Sequence, residues 1–278
     1  MSSSVTIPKQ LRFGETTRSD AWWMQPVAVF LGFSAFIVYS TWAAFQGTDP
    51  SKCAYWFGGD GANYLSPFYS PSLFGSTPHP GIFGVTPSWW PAWALFSPAF
   101  LIMWIPAGFR FTCYYYRGAY YKAFWLDPVA CAVGEPRKTY LGERYLPLIL
   151  QNIHRYFLYL ALVFIFILGR DAFDALWFKD DTGTSHFGLA IGSLVLIVNV
   201  VLLAGYTLGC HSLRHLVGGF LDSKSKASAC ASCYNAVSCL NKKHMLWAWM
   251  SLFWVGFTDF YIRMCATGVW HDFRFFTF

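Results

Sequence analysis

Stretches of about twenty mostly apolar residues recur along this chain, and no other feature limits its folds so severely. Inside hydrocarbon every backbone N–H and C=O must be satisfied internally, and for an isolated apolar stretch the helix does this. About 20 helical residues cross a hydrocarbon core roughly 30 Å thick. Five segments have that length: Ala21–Phe45, Trp89–Phe111, Leu146–Leu168, Phe187–Leu208 and Met245–Met264. Pro98 and Pro106 fall inside the second, where neighbouring helices must satisfy the freed carbonyls. The expected fold is an all-α integral membrane protein with five transmembrane helices, forming a single membrane domain over residues 1–278.

Composition agrees. Only 12% of the 278 residues are charged, against about 25% in an ordinary soluble domain. The chain has 14 Trp and 16 Tyr, residues that gather where helices meet the headgroup layer. Its net charge of +6 does not require a nucleic acid, because basic loops belong on the cytoplasmic side of a bilayer. The first twenty residues are polar, and no small-residue cleavage site follows the first apolar run, so no secretory signal is expected.

Basic residues set the expected topology. The N-terminus carries Lys9, Arg12 and Arg18. The segment after the second helix carries Arg110, Arg117, Lys122, Arg137, Lys138 and Arg144, and the one after the fourth carries Arg214, Lys224, Lys226, Lys242 and Lys243. Lys52, Arg170, Lys179, Arg263 and Arg274 fall opposite. The N-terminus is therefore expected in the cytoplasm and the C-terminus outside. The outer loop Gln46–Ser88 is rich in Gly, Pro and aromatics, as in Tyr64-Leu-Ser-Pro-Phe-Tyr-Ser-Pro-Ser72. Such a loop forms no regular helix, and its rings are expected to lie on the outer face as a cap. No internal repeat supports the inverted-repeat plan of many transporters.

Cys and His fall unevenly on this map. Cys113 ends the second helix and Cys131 follows it. His154 lies in the inner part of the third, Cys210, His211 and His215 end the fourth, Cys230, Cys233 and Cys239 are in the next inner loop, and His244 opens the fifth. Outside lie Cys53, His79, His186, Cys265 and His271. Cytosolic thiols are usually reduced, which argues against disulfides. Singly, each has a plainer role: Cys as a small packing residue, His as a water-facing group near headgroups. His154 resists that reading, since an ionisable group inside a span is costly.

Three metal centres suit these residue types. A b-type haem needs two facing His from different helices. The first two helices contain none, so a four-His arrangement is excluded and one pair remains, His154 with His215 or His244. Two Cys and two His match a Rieske-type [2Fe–2S] centre, in which imidazoles replace thiolates on one iron. One residue per helix gives Cys113, His154, Cys210 and His244, with His215 the substitute for either His. Zinc takes the same Cys₂His₂ set. Cys230-Ala-Ser-Cys233 is half of a metal hairpin and ranks below the helix-end set.

The run Cys113-Tyr-Tyr-Tyr-Arg-Gly-Ala-Tyr-Tyr-Lys-Ala-Phe124, then Asp127-Pro-Val-Ala-Cys131-Ala-Val-Gly-Glu-Pro136, Leu150-Gln-Asn-Ile-His154-Arg-Tyr-Phe157, Cys210-His-Ser-Leu-Arg-His215 and Leu240-Asn-Lys-Lys-His244 resembles the bacterial single-subunit membrane anchor of succinate dehydrogenase, respiratory complex II. The resemblance covers about Trp89 to Met264. It implies a multi-pass protein of the bacterial plasma membrane on which a flavoprotein and an iron–sulfur subunit dock from the cytoplasm. Electrons from succinate would pass through the anchor to a membrane quinone. The best-known five-helix anchors carry two haems on His from four helices. The missing His in the first two helices departs from that pattern and favours the [2Fe–2S] reading over haem b.

A quinone carbonyl needs hydrogen-bond donors just beneath the inner headgroups. Tyr114, Arg155, Tyr156 and His215 are the candidates, with ordinary interface anchoring as their alternative role. Asp259 and Arg263, one turn apart in the outer half of the fifth helix, are expected to pair with each other. A transporter would place polar groups centrally, and an anchor with structural zinc would share the ligand set without redox work.

Overall fold

The computed structural model describes residues 11–46, 54–74, 81–84, 97–138, 142–146, 148–219 and 228–278. Its α-helices are α1 (Met24–Phe45), α2 (Pro98–Phe111), α3 (Tyr114–Ala123), α4 (His154–Asp174), α5 (Ile191–Leu208), α6 (His211–Gly218), α7 (Ser228–Asn241) and α8 (His244–Ala266). Short strands β1 (Trp56–Phe57) and β2 (Tyr64–Leu65) pair with each other, and β3 (Trp177–Lys179), β4 (Ser185–Ala190) and β5 (Arg274–Thr277) form an antiparallel sheet in that order.

Among the described residues, three stretches are long and apolar enough to cross a membrane: α1, Leu148–Asp174 ending in α4, and α5. Their flanks are apolar and open, with Val38 70% and Phe166 80% exposed. Such sides would be a liability in water and are what a span presents to lipid. The chain is a helical membrane protein. α2 is apolar but has 14 residues, and positions 89–96 of the segment expected there lie outside the described residues. α8 has the length of a span at 23 residues but carries buried His244, Asp259 and Arg263, which lower its hydropathy.

Two helix starts differ from the sequence reading. The third span begins later and ends later: Leu148–Ile153 is a 3₁₀ turn, and α4 runs on to Asp174. Its charged end stays helical because Arg170 pairs with Asp174 across one turn at 2.9 Å and Ser70 donates to Asp171. The fourth span was expected from Phe187, yet Ser185–Ala190 is strand β4. Leu189 there faces Phe276 of β5, a partner far away in sequence.

Contacts divide the chain into two compact units, Met1–Ala35 with Phe111–Asn152, and Phe36–Arg110 with Ile153–Phe278. In the first, the N-terminal arm pairs with a later loop: Gly14 N–H donates to Gly134 O at 3.0 Å, and Gly134 N–H to Glu15 O at 2.9 Å. Helix α3, which the sequence reading left as loop, buries Tyr116, Tyr120 and Ala123 at helical spacing. Phe33 meets Tyr116, and Phe30 meets Phe124.

In the second unit α5 packs between α4 and α8. Gly205 allows close approach there, since a Cβ at that position would lie 2.8 Å from the Trp247 ring. The described part of the loop, 54–74, packs closely on this unit. Tyr55, Tyr64, Phe68 and Tyr69 are buried. Their hydroxyls explain the insertion: Tyr69 donates to the Ala43 carbonyl at 2.7 Å and Tyr64 to Asp272 at 2.7 Å. A ring can enter the bundle when its polar tip finds an acceptor.

Candidate functional site

At one end of the second unit, the C-terminus of α2, the N-terminus of α4, the α5–α6 junction and the N-terminus of α8 contribute a column of rings. His154 stacks on Phe109 at 4.6 Å and 8°, Phe109 meets Tyr206 edgewise at 5.3 Å, and Tyr206 stacks on His244 at 5.0 Å. Arg110 lies over the Tyr206 ring at 4.8 Å. Its guanidinium donates to the Ala248 carbonyl at 3.0 Å and to Ser251 Oγ at 2.9 Å. A cation at the end of an apolar helix is thus held by two hydrogen bonds and a π face.

His154 Nε2 lies 3.1 Å from Cys210 Sγ. Both are buried, and Cys210 is also the N-cap of α6, its sulfur accepting from Ser212 N–H. The expected metal centre finds no support here. Among the described residues no group of three or more His, Cys, Asp or Glu is gathered closely enough to hold a metal ion. Of the set Cys113, His154, Cys210 and His244, the second unit joins His154 to Cys210 and places His244 on Tyr206. Cys113 is a buried residue of the first unit, the N-cap of α3. The same observation applies to a Cys₂His₂ zinc.

Next to Arg110 a cavity of about 140 Å³ runs among α1, α2, α4, α5 and α8. Its lining is apolar apart from Ser40, Arg110, Tyr206 and Thr207. That volume is below the roughly 300–1,000 Å³ usual for ligand pockets.

The other expected residues are spread out. Arg155, Tyr156, His211 and His215 are exposed at the His154 end. Tyr114 is exposed in the first unit, where Arg117 lies over its ring at 4.5 Å. Cys233 and Cys239 are exposed on α7, while the Cys230 side chain, Cys53 and His79 lie outside what is described. No disulfide joins the described cysteines. Sequence reasoning missed Phe109, Tyr206 and the interior role of Arg110, which it counted as a loop cation. The available signal was an Arg still within the helical register of an apolar span.

At the opposite end the expected pair forms. Arg263 Nε donates to Asp259 Oδ2 at 2.7 Å, and both side chains are buried. Tyr39 donates to the same oxygen at 2.7 Å, Ser66 to Oδ1, and Arg263 Nη2 to the Ala43 carbonyl at 3.1 Å. The pair thereby ties α8 to α1 and to the inserted loop.

Comparisons with known proteins bear on this arrangement. A family model described as actinobacterial succinate dehydrogenase subunit SdhC matches residues 24–268. Among solved structures, the Mycobacterium smegmatis Sdh1 complex in the apo form contains a chain 42% identical in sequence. The match covers 99% of this chain and 100% of that one, with a TM-score of 0.81. No curated protein gives a significant match.

Proposed function

Since this chain belongs to the actinobacterial succinate dehydrogenase SdhC family, we propose that its His154 end faces the cytoplasm and hands electrons from a docked iron–sulfur subunit to a membrane quinone. The chain is a membrane subunit of succinate dehydrogenase, not catalytic alone, and a multi-pass protein of the plasma membrane. Its partners are the flavoprotein and iron–sulfur subunits, with quinone as the electron acceptor. In this reading the chain is one membrane domain with five spans, α2 and α8 completing the count. Its N-terminus is inside and its C-terminus outside.

One observation carries the proposal: the histidines borne by the described helices, His154, His211, His215 and His244, lie at one end. Buried His154, Cys210 and His244, with half-buried Arg110, share one end with exposed Arg155, Tyr156, His211 and His215. A quinone becoming a quinol takes up two electrons and two protons, so it needs donors near its carbonyls and access to water. Arg155, Tyr156 and His215 offer both on a surface that a docked subunit would close. Tyr114 joins them on the sequence reading alone.

In the purified complex, Arg155→Ala with Tyr156→Phe should lower succinate-to-quinone activity about tenfold or more, the worth of one lost charge-assisted hydrogen bond. Succinate-driven reduction of a soluble dye should persist. Unchanged quinone activity would remove these residues from the site.

The [2Fe–2S] centre expected from the sequence is not part of this reading, because the described residues gather no such ligand group. Iron content and electron paramagnetic resonance of a His154→Ala/His244→Ala complex decide the matter. Unchanged iron upholds leaving the centre out; loss of one cluster's worth restores the Cys/His centre.

A further inference from the structure

The first unit contains a groove on which the proposed function does not draw. Its volume is about 380 Å³, and its walls include Phe13 of the N-terminal arm, Trp22, Val27 and Phe30 of the α1 region, and Ala123 and Leu126 around the end of α3. The walls are built rather than incidental. The arm is pinned by the Gly14–Gly134 pair and by Thr16 Oγ1 donating to Ala132 O at 2.8 Å. Leu126 holds φ 58°, a left-handed conformation that side chains seldom adopt, while contributing to the wall.

We propose that this groove binds one acyl chain of a phospholipid whose anionic headgroup rests among Arg12 and Lys122. Three features select that occupant. Val27 and Phe30 line the groove and are also exposed on the flank of α1 beside Leu31, so a chain enters sideways from the bilayer. Trp22 and Trp23 are among the lining residues, and such rings settle at headgroup level. Exposed Arg12 and Lys122 neighbour the lining residues Phe13 and Ala123 in sequence, and basic side chains at a membrane surface attract anionic lipids. The nearby carboxylates are each engaged: Glu15 by the Arg12 N–H, Asp20 by Arg18 Nε and Asp127 by Arg137 Nη1.

The test uses the intact complex. Native mass spectrometry counts retained phospholipid, and the delipidated complex is then titrated with dioleoyl phosphatidylglycerol or dioleoyl phosphatidylcholine. One tightly held lipid per chain is expected, with at least fivefold preference for phosphatidylglycerol. Val27→Trp fills the groove and should abolish that retention. Lys122→Glu leaves the walls unchanged and should erase the preference while dye reduction stays at the parent level; it decides the question if Val27→Trp fails to assemble. The proposal is overturned by equal affinity for the two lipids, by a preference that survives Lys122→Glu, by retention that survives Val27→Trp, or by cross-links from position 27 to a protein segment lying in the groove.

Discussion

A guanidinium inside a membrane helix persists only if its donors are answered, and Arg263 answers them with Asp259 and the Ala43 carbonyl. Removing one member leaves the other charged and stranded. Arg263→Ala should therefore cost about 3–5 kcal/mol, and replacing both by Asp259→Asn and Arg263→Met should recover most of it. Unfolding of the complex in graded denaturant measures the difference, and a double variant as weak as the single one would refute the explanation. Asp180 gives the contrasting case in water. Its carboxylate accepts from Thr182 Oγ1 and the N–H groups of Thr182 and Thr184, with His186 beside it. These donors hold its pKa down to about 2, the Thr182 side chain first among them. A carboxylate held below its ordinary value stabilises the fold above the unfolded pKa, near 3.8, and that contribution disappears as pH falls through the folded value. Carbon-detected titration should find Asp180 still ionised at pH 3; a midpoint near 4 would contradict the geometry.

At the scale of elements, the inserted loop and the sheet depend on contacts distant in sequence. Gly61, with φ +75°, brings its backbone so close to β3 that a Cβ there would lie 1.8 Å from the Lys179 carbonyl oxygen. Gly61→Ala should cost more than the roughly 1–2 kcal/mol of a left-handed residue alone, because backbone must also move. Faster proteolysis of the 54–74 loop in the assembled complex is the expected sign, and an unaltered cleavage rate would rule it out. The spans α1 and α5 were readable because apolar length alone defines them. The loop's helix-breaking composition was equally readable, but the burial of its rings was not. Burial required acceptors on α1 and on Asp272 that only the packed bundle supplies.

For the whole molecule, the expected outcome of purification is a complex containing this chain, a flavoprotein and an iron–sulfur subunit. Isolation of a stable, active single chain would count decisively against the anchor role. The exposed Arg155, Tyr156, His211 and His215 are the surface that docking should protect from chemical labelling, while exposed Phe278, near the opposite end, should stay accessible.

By itself the sequence determined the membrane class, three of the spans, the Asp259–Arg263 pair and the gathering of Cys and His toward one end. All of these follow from hydropathy, helical spacing and the cost of burying charge, which act within a segment. Tertiary structure decided which of those polar groups meet. His154 reaches Cys210, Arg110 turns inward to Ser251 and Tyr206, and His244 stacks on Tyr206, while His215 stays in the open. Residue type names a possible ligand or donor, but helix rotation, set by neighbours such as Gly205 against Trp247, determines where its side chain points. A one-residue turn of a helix moves a side chain by about 100°, and no spacing along one chain segment encodes that angle relative to another.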